Sequence, residues 1–150
     1  MLKGIDPLLT PELLRLLADM GHDDALVLAD ANFTAVRLAA GKPVLRLPGI
    51  GMARAVKAVD SLLPLAADVD HPVAFMQVEG TQAPYLSALQ REVLAQLQPG
   101  LLAHQRAEAI ERHAFYERVR GAFAIVVTGE RQPFGNFILR KGVIGDTLRP

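Results

Sequence analysis

Two side chains near the start of this chain of 150 residues could carry acid–base or binding chemistry. His22 suits proton transfer near neutral pH, because the unperturbed pKa of imidazole is about 6.5. Asp30 directly follows the apolar run Ala25–Ala29, and open α/β sheets bind ligands at the carboxyl ends of their strands. The plain alternatives are a histidine that stabilises a helix C-terminus and an aspartate that forms a turn.

Further polar groups follow late in the chain. Arg112 lies in a charge-rich stretch, and Phe134, Gly135 and Asn136 precede the last apolar run. Taken singly, Arg112 is typical of a solvated helix face, and Gly135 with Asn136 is typical of a turn. These residues therefore become candidates for a site only in combination with the others.

Several kinds of site are excluded by pattern. Residues 48–51 begin like a dinucleotide-binding motif, but Arg54 stands where the third glycine is needed for close helix packing. Residues 22–24 are consecutive polar side chains, which seldom converge on one metal ion, so a solvated turn is favoured. The chain has no cysteine, which removes thiolate nucleophiles and cysteine zinc sites. We expect neither a cofactor nor a metal.

Composition restricts the partners. The chain carries 16 basic and 16 acidic residues, so we expect no nucleic acid partner. Charges interrupt every apolar segment before the roughly 20 residues that a membrane span needs, so we expect no membrane partner. The first ten residues lack a secretory pattern, and we expect a cytoplasmic location. A hydrophobic content of 51% indicates homo-oligomerisation.

The elements that must position these residues alternate between strands and helices. Thr10 and Pro11 predict the start of an amphipathic helix, and Pro64 and the Pro99-Gly100 pair end two more. A single domain over residues 1–150 is expected, with a three-layer α/β/α fold and a mixed, mostly parallel sheet of about six strands. The last two strands are too close for a helical crossover, so they should pair antiparallel or lie apart. The predicted strands are residues 25–29, 44–47, 73–78, 123–128 and 136–141, and the later helices are residues 52–63 and 84–97.

Residues 106–122 allow two interpretations. Helix propensity favours one long helix. The alternative is a short strand around residues 109–112 followed by a helix. The choice matters for Arg112, because only a strand would place it at a sheet edge.

Three segments together resemble a known family. Residues 8–33, 78–80 and 112–143, which contain the GHDD, RHAFYER, TGER and FGN elements, are similar to the ribose pyranase and fucose mutarotase family, with the fucose branch the closer. The resemblance covers most of the chain in order and spacing. It implies a cofactor-independent enzyme that interconverts anomers or ring forms of a free monosaccharide, L-fucose above all. It also implies ring-like homo-oligomers, often decamers, with sites shared at subunit boundaries.

The resemblance also implies roles for single residues. His22 corresponds to the proton-transferring histidine, and Asp30 and Arg112 correspond to sugar-contacting positions. Phe134, Gly135 and Asn136 correspond to the short sugar-binding stretch, but the family usually has tyrosine where this chain has Phe134. A phenyl ring keeps stacking against a sugar and loses the hydroxyl. Two alternatives therefore stay open, namely ribose pyranase-type activity on another sugar and a non-catalytic sugar-binding module linked to uptake.

The order of these residues along the chain has a geometric consequence. His22 precedes the strand of residues 25–29 and Asp30 follows it, so an extended strand would separate them by roughly 20 Å at about 3.3 Å per residue. One subunit cannot easily bring both to one sugar. We therefore expect a composite pocket in which a neighbouring subunit supplies His22.

Overall fold

One mixed sheet organises the chain. The computed structural model describes residues 1–146, 148 and 149. Within them the strands are β1 (Ala25–Ala29), β2 (Val44–Leu47), β3 (Val73–Met76), β4 (Glu108–Ile110), β5 (Ala124–Thr128) and β6 (Phe137–Arg140). The α-helices are α1 (Pro11–Asp19), α2 (Ala35–Ala39), α3 (Met52–Asp60), α4 (Ala88–Leu97) and α5 (Arg112–Arg120), and a 3₁₀ turn spans Gln98–Gly100.

The strand order is β2-β5-β1-β6-β3-β4. β6 runs antiparallel to both of its neighbours, β1 and β3, while the pairs β1–β5, β2–β5 and β3–β4 are parallel. The predicted mixed, mostly parallel sheet is confirmed. The last two strands lie apart, because β6 is inserted between β1 and β3.

Helices cover both faces of the sheet. Alternate residues of β1 point to opposite sides, so that Leu26 and Leu28 join a core formed with α1, α3 and α4. Val27 and Ala29 join a second core formed with α2 and α5. Because both faces are buried, the central strands are continuous apolar runs, and the predicted three layers are confirmed.

Capping residues define where two of the helices begin. The Thr10 hydroxyl accepts a hydrogen bond from the Leu13 amide at 3.2 Å, and Pro11 occupies the first helical position, as predicted. The fourth helix begins later than its predicted start at residue 84. Ser87 and Gln90 form a reciprocal capping box that fixes its start at Ala88.

The region before α5 corrects one interpretation. The single long helix favoured by propensity for residues 106–122 is wrong, and the alternative of a strand followed by a helix is correct. Glu108–Ile110 pairs in parallel with β3, and the Glu111 carboxylate then accepts hydrogen bonds from the amides of His113 and Ala114 at 2.8 and 3.2 Å. The backbone hydrogen bonds to the distant strand β3, together with the local cap at Glu111, outweigh the helix propensity of these residues. The five-residue helix Ala35–Ala39 was not predicted.

Lys42 connects the ends of the two helices on one face of the sheet. Its ammonium group donates hydrogen bonds to the carbonyl oxygens of Leu38 in α2, and of Val119 and Arg120 in α5, at 3.2, 3.2 and 2.9 Å. Burial is the main cause of the lowered pKa of Lys42, with Arg120 a smaller one. A cation at helix C-termini is also favoured by the helix dipole.

We predict that Lys42→Met lowers the free energy of unfolding by about 1–2 kcal/mol, because three carbonyl groups lose a charged donor. Urea denaturation followed by circular dichroism measures this change. Lys3→Met, at an exposed position, is the control and should change the midpoint little. Equal midpoints for the two variants would contradict the role of Lys42.

Candidate active site

Asp30 and Asn136 meet at one edge of the sheet. Asp30 follows the carboxyl end of β1, and Asn136 precedes the amino end of the antiparallel strand β6. The reversed direction of β6 therefore brings its first residues to the edge where the parallel strands end. Both side chains are buried, with 6% and 2% of their surface exposed.

A reciprocal pair of hydrogen bonds joins these two residues. The Asp30 amide donates to Asn136 Oδ1 at 2.9 Å, and Asn136 Nδ2 donates to Asp30 Oδ2 at 2.8 Å. The Asn32 amide donates to the other carboxylate oxygen at 2.9 Å. Burial raises the pKa of Asp30, and the hydrogen bonds from Asn136 and Asn32 partly offset that rise. The carboxylate is therefore held in one orientation with little surrounding water.

The loop before Asn136 is held by the Glu130 carboxylate. One oxygen accepts hydrogen bonds from the amides of Arg131 and Gln132, both at 2.9 Å. The other accepts from the Met52 amide, at the start of α3, at 3.2 Å. Because the Glu130 carbonyl also accepts from the Ala31 amide at 2.8 Å, this loop is fixed against the segment that follows Asp30.

Phe134 has an unusual backbone conformation at the end of this loop. Its φ is 60°, in the left-handed region that non-glycine residues seldom adopt. The buried Gln90 side chain donates to its carbonyl at 3.2 Å and to the Met76 carbonyl, at the end of β3, at 2.8 Å. Gln90 was not among the predicted site residues. The Ser87-to-Gln90 spacing could have indicated a capping box, but not these two distant contacts.

Gly135 lies in a confined position next to Phe134. A Cβ atom there would lie 2.8 Å from Leu89 Cδ2 and 3.2 Å from the Gln132 carbonyl oxygen. Either the leucine or the loop would have to move to accept a side chain. Gly135 therefore permits the close packing of the loop and does not itself offer a polar group beyond its backbone.

An aromatic group lies beside the same edge. The Phe33 ring is 5.8 Å from that of Tyr116 in an edge-to-face arrangement, and Tyr116 is 6.1 Å from His113. Phe33, Tyr116 and Phe134 all pack against the core on the α2 and α5 side. Sequence reasoning did not assign Phe33 to the site. These rings offer flat apolar surface of the kind that stacks on a sugar face.

Arg112 lies at this edge because β4 ends just before it. Its guanidinium forms an ion pair with Glu79 at 3.6 Å, and its Nε atom is buried without a hydrogen-bond partner among the described residues. Both residues line a small cavity of about 140 Å³ whose wall includes Gln77, Gly80 and Thr81. The Arg112 side chain as a whole is 39% exposed, so the outer part of its guanidinium is accessible to a polar ligand.

His22 lies elsewhere in the subunit. It precedes β1, and the amide of the following residue, Asp23, donates to the Lys141 carbonyl just beyond the end of β6. The imidazole is 49% exposed and its Nε2 is 3.0 Å from Asp68 Oδ2. The structure therefore places Asp30, Arg112, Phe134, Gly135 and Asn136 at one edge of the sheet, and His22 at the opposite edge.

The described residues contain neither a membrane-spanning helix nor a metal-binding cluster. Within the described residues, no helix is long and apolar enough to cross a membrane. Over the same part of the chain, no group of three or more histidine, cysteine, aspartate or glutamate side chains could hold a metal ion.

The fold and the polar edge define a class of protein, namely a small α/β domain with polar side chains gathered at the carboxyl ends of its strands, the place where open α/β sheets bind ligands. The chain belongs to the RbsD / FucU transport protein family, whose model matches residues 3–144. The family expected from the sequence is therefore confirmed.

Individual relatives make the similarity more specific. The chain is 44% identical over 155 residues to the fucose mutarotase of Homo sapiens, covering 95% of this chain and 94% of that protein. It is 41% identical over 145 residues to the L-fucose mutarotase of Actinobacillus pleuropneumoniae serotype 5b, covering 95% and 97%. The crystal structure of the fucose mutarotase from Streptococcus pneumoniae in complex with L-fucose superposes with a TM-score of 0.85 at 33% identity, covering 96% of this chain and all of that one.

We predict that Asn136→Asp lowers the free energy of unfolding by about 2–3 kcal/mol at pH 7, because it removes a donor to Asp30 and adds a like charge. Two facing carboxylates retain a proton, so their pKa in the folded state is raised above the unfolded value. Stability is then lost as the pH rises through that folded pKa and returns as the pH falls. Thermal denaturation between pH 4 and pH 8 measures the difference from the wild type.

Asn32→Asp is the matched control, because Asn32 is the other asparagine of the chain and its side chain is exposed. It should cause a smaller loss at pH 7. A loss in Asn136→Asp that stays constant across this pH range would contradict the proposed carboxylate pairing.

Proposed function

We propose that this protein is a cofactor-independent mutarotase that interconverts the anomers of a free monosaccharide, with L-fucose as the substrate. The observation that carries the proposal is the buried Asp30–Asn136 pair, at the same sheet edge as the partly exposed Arg112 guanidinium, in a chain 33–44% identical to fucose mutarotases. A cytoplasmic location, as expected from the sequence, is part of the proposal.

The residues at the carboxyl edge match the chemistry of a sugar. Asp30 accepts hydrogen bonds from sugar hydroxyls, and Arg112 donates several hydrogen bonds from one rigid group. Asn136 fixes the direction of the Asp30 carboxylate and adds a polar contact to the sugar. Phe134 supplies a ring for stacking, held in place through its carbonyl by Gln90. The edge thus combines polar groups that select for sugar hydroxyls with an apolar ring against which the sugar can stack.

The reaction needs a group that moves protons. The anomeric hydroxyl loses its proton, the carbonyl of the open aldehyde forms, and the bond between the anomeric carbon and the ring oxygen breaks as that oxygen gains a proton. Rotation about the next carbon–carbon bond and the reverse steps give the other anomer. We assign His22 as the acid–base residue, because imidazole both accepts and donates protons near neutral pH. Atoms and charge balance with no added reactant.

The site is completed by a second copy of the chain. The strand β1 separates His22 from Asp30 within one subunit, and the half-exposed imidazole is accessible at the opposite edge. In a closed symmetric oligomer, a neighbouring subunit can present His22 to the pocket that contains Asp30. Homo-oligomeric rings, decamers in the form that the family resemblance implies, would repeat this shared site around the assembly.

Anomer exchange of free sugars tests the function. Magnetisation-transfer NMR on fucose, galactose and ribose should show acceleration by the wild type, with fucose the fastest. His22→Ala should lower that acceleration by about 10²-fold or more, whereas His104→Ala, at an exposed histidine, should leave it unchanged. Ribose as the fastest sugar would support the pyranase alternative. Sugar binding without exchange would support the binding module, which the replacement of tyrosine by Phe134 favours.

Subunit mixing tests the shared site. His22→Ala and Asp30→Ala proteins should each retain only a small residual activity, but random exchange of their subunits at equal amounts should create intact sites at about a quarter of the pockets. Activity should return with the time course of exchange, followed by mass spectrometry of labelled subunits. Confirmed exchange without recovered activity would contradict the composite pocket.

A further inference from the structure

Asp68 forms the one ion pair of His22 among the described residues. It lies in the connection between α3 and β3, 46 positions along the chain from His22. Its Oδ2 is 3.0 Å from Nε2 of the imidazole, and both side chains are about half exposed. The contact with His22 is the main cause that lowers the pKa of the Asp68 carboxyl below its usual value. Sequence analysis did not assign Asp68 a role.

The other charged groups near His22 have different partners. Asp23 pairs with Arg140, and the Asp24 carboxylate accepts from the Gly21 amide at 2.7 Å. The Lys141 ammonium donates to the carbonyl of Leu17 at 2.8 Å and also to that of Met20. These contacts fix the backbone around His22. Asp68 is the group whose contact sets the direction of the ring itself.

We propose that Asp68 is a positioning residue for the acid–base step, which holds His22 through Nε2 so that Nδ1 faces the sugar of the neighbouring subunit. This inference rests on the proposed mutarotase function. A carboxylate next to Nε2 keeps the proton on that nitrogen in the neutral ring, and Nδ1 then carries the free lone pair. His22 is thereby prepared to act as a base at one defined atom.

The same contact acts during the proton transfer. Nδ1 of His22 accepts the proton of the anomeric hydroxyl, and the imidazole becomes an imidazolium ion. The Asp68 carboxylate then lies next to the new positive charge. The proton then passes to the ring oxygen or returns to the anomeric oxygen on closure. A carboxylate that orients a histidine and stabilises its charged form is a recurrent arrangement in acid–base catalysis.

The expected effect is moderate because the pair is half exposed and water screens it. Asp68→Ala should lower kcat for fucose anomer exchange by about three- to fivefold, the size that exposed ion pairs support. KM should stay unchanged, since Asp68 is assigned no contact with the sugar. Asp70→Ala, an exposed aspartate two residues further on, is the matched control and should keep the wild-type kcat.

A double-mutant cycle separates positioning from a general structural effect. In the His22→Ala background, Asp68→Ala should lower the residual exchange rate no further, because its effect acts through the imidazole. A structural role would lower the melting temperature and would persist in that background. Asp68→Glu, which restores a carboxylate, should recover part of the lost kcat.

The outcomes distinguish this inference from the proposed function. If His22→Ala abolishes exchange while Asp68→Ala keeps the wild-type kcat, the positioning role is wrong and the mutarotase function stands. If His22→Ala keeps full activity, the assigned role of His22 fails and the inference fails with it. A loss of kcat in Asp68→Ala that equals the loss in Asp70→Ala also overturns the inference.

Discussion

The insertion of β6 between two parallel strands is the constraint on which the site depends. A strand that runs against its neighbours delivers its first residues to the edge where the neighbours end. Asn136 thereby meets Asp30, 106 positions away in sequence, in two hydrogen bonds. The same reversal brings Phe134 to within reach of Gln90 and the end of β3. If β6 had paired with β5 instead, these groups would not have converged.

A buried carboxylate is unfavourable unless hydrogen bonds compensate for the lost water. Asp30 receives such bonds from Asn136 and Asn32, and its pKa is nevertheless raised. Proteins retain such groups where chemistry needs them, and perturbed carboxylates cluster at functional sites. The surrounding loop supports this interpretation. The Glu130 carboxylate accepts three backbone hydrogen bonds, and these bonds hold the loop before Asn136 in place beside the site.

Local pattern predicted the elements that are long or continuously apolar. The strand Ala25–Ala29 and the helix that begins at Pro11 have the expected bounds or nearly so. Glu108–Ile110 could not be predicted by propensity, because three residues become a strand only when β3 lies beside them. Contacts made by Gln90 and Asp68 were missed for a related reason. Each joins elements far apart in sequence, and no short motif encodes such a contact.

In the proposed mechanism the two ends of β1 carry complementary halves of the reaction, with proton transfer assigned to His22 and sugar binding assigned to Asp30. The proposed symmetric oligomer would resolve this separation, because each subunit of a ring can supply one half to a neighbour and receive the other half. A crystal structure of the assembled protein with L-fucose tests this account most directly. It should show the anomeric hydroxyl within about 3 Å of a neighbouring subunit's His22, with Asp30 on the same sugar. An imidazole that faces bulk solvent, remote from every bound sugar, would contradict it.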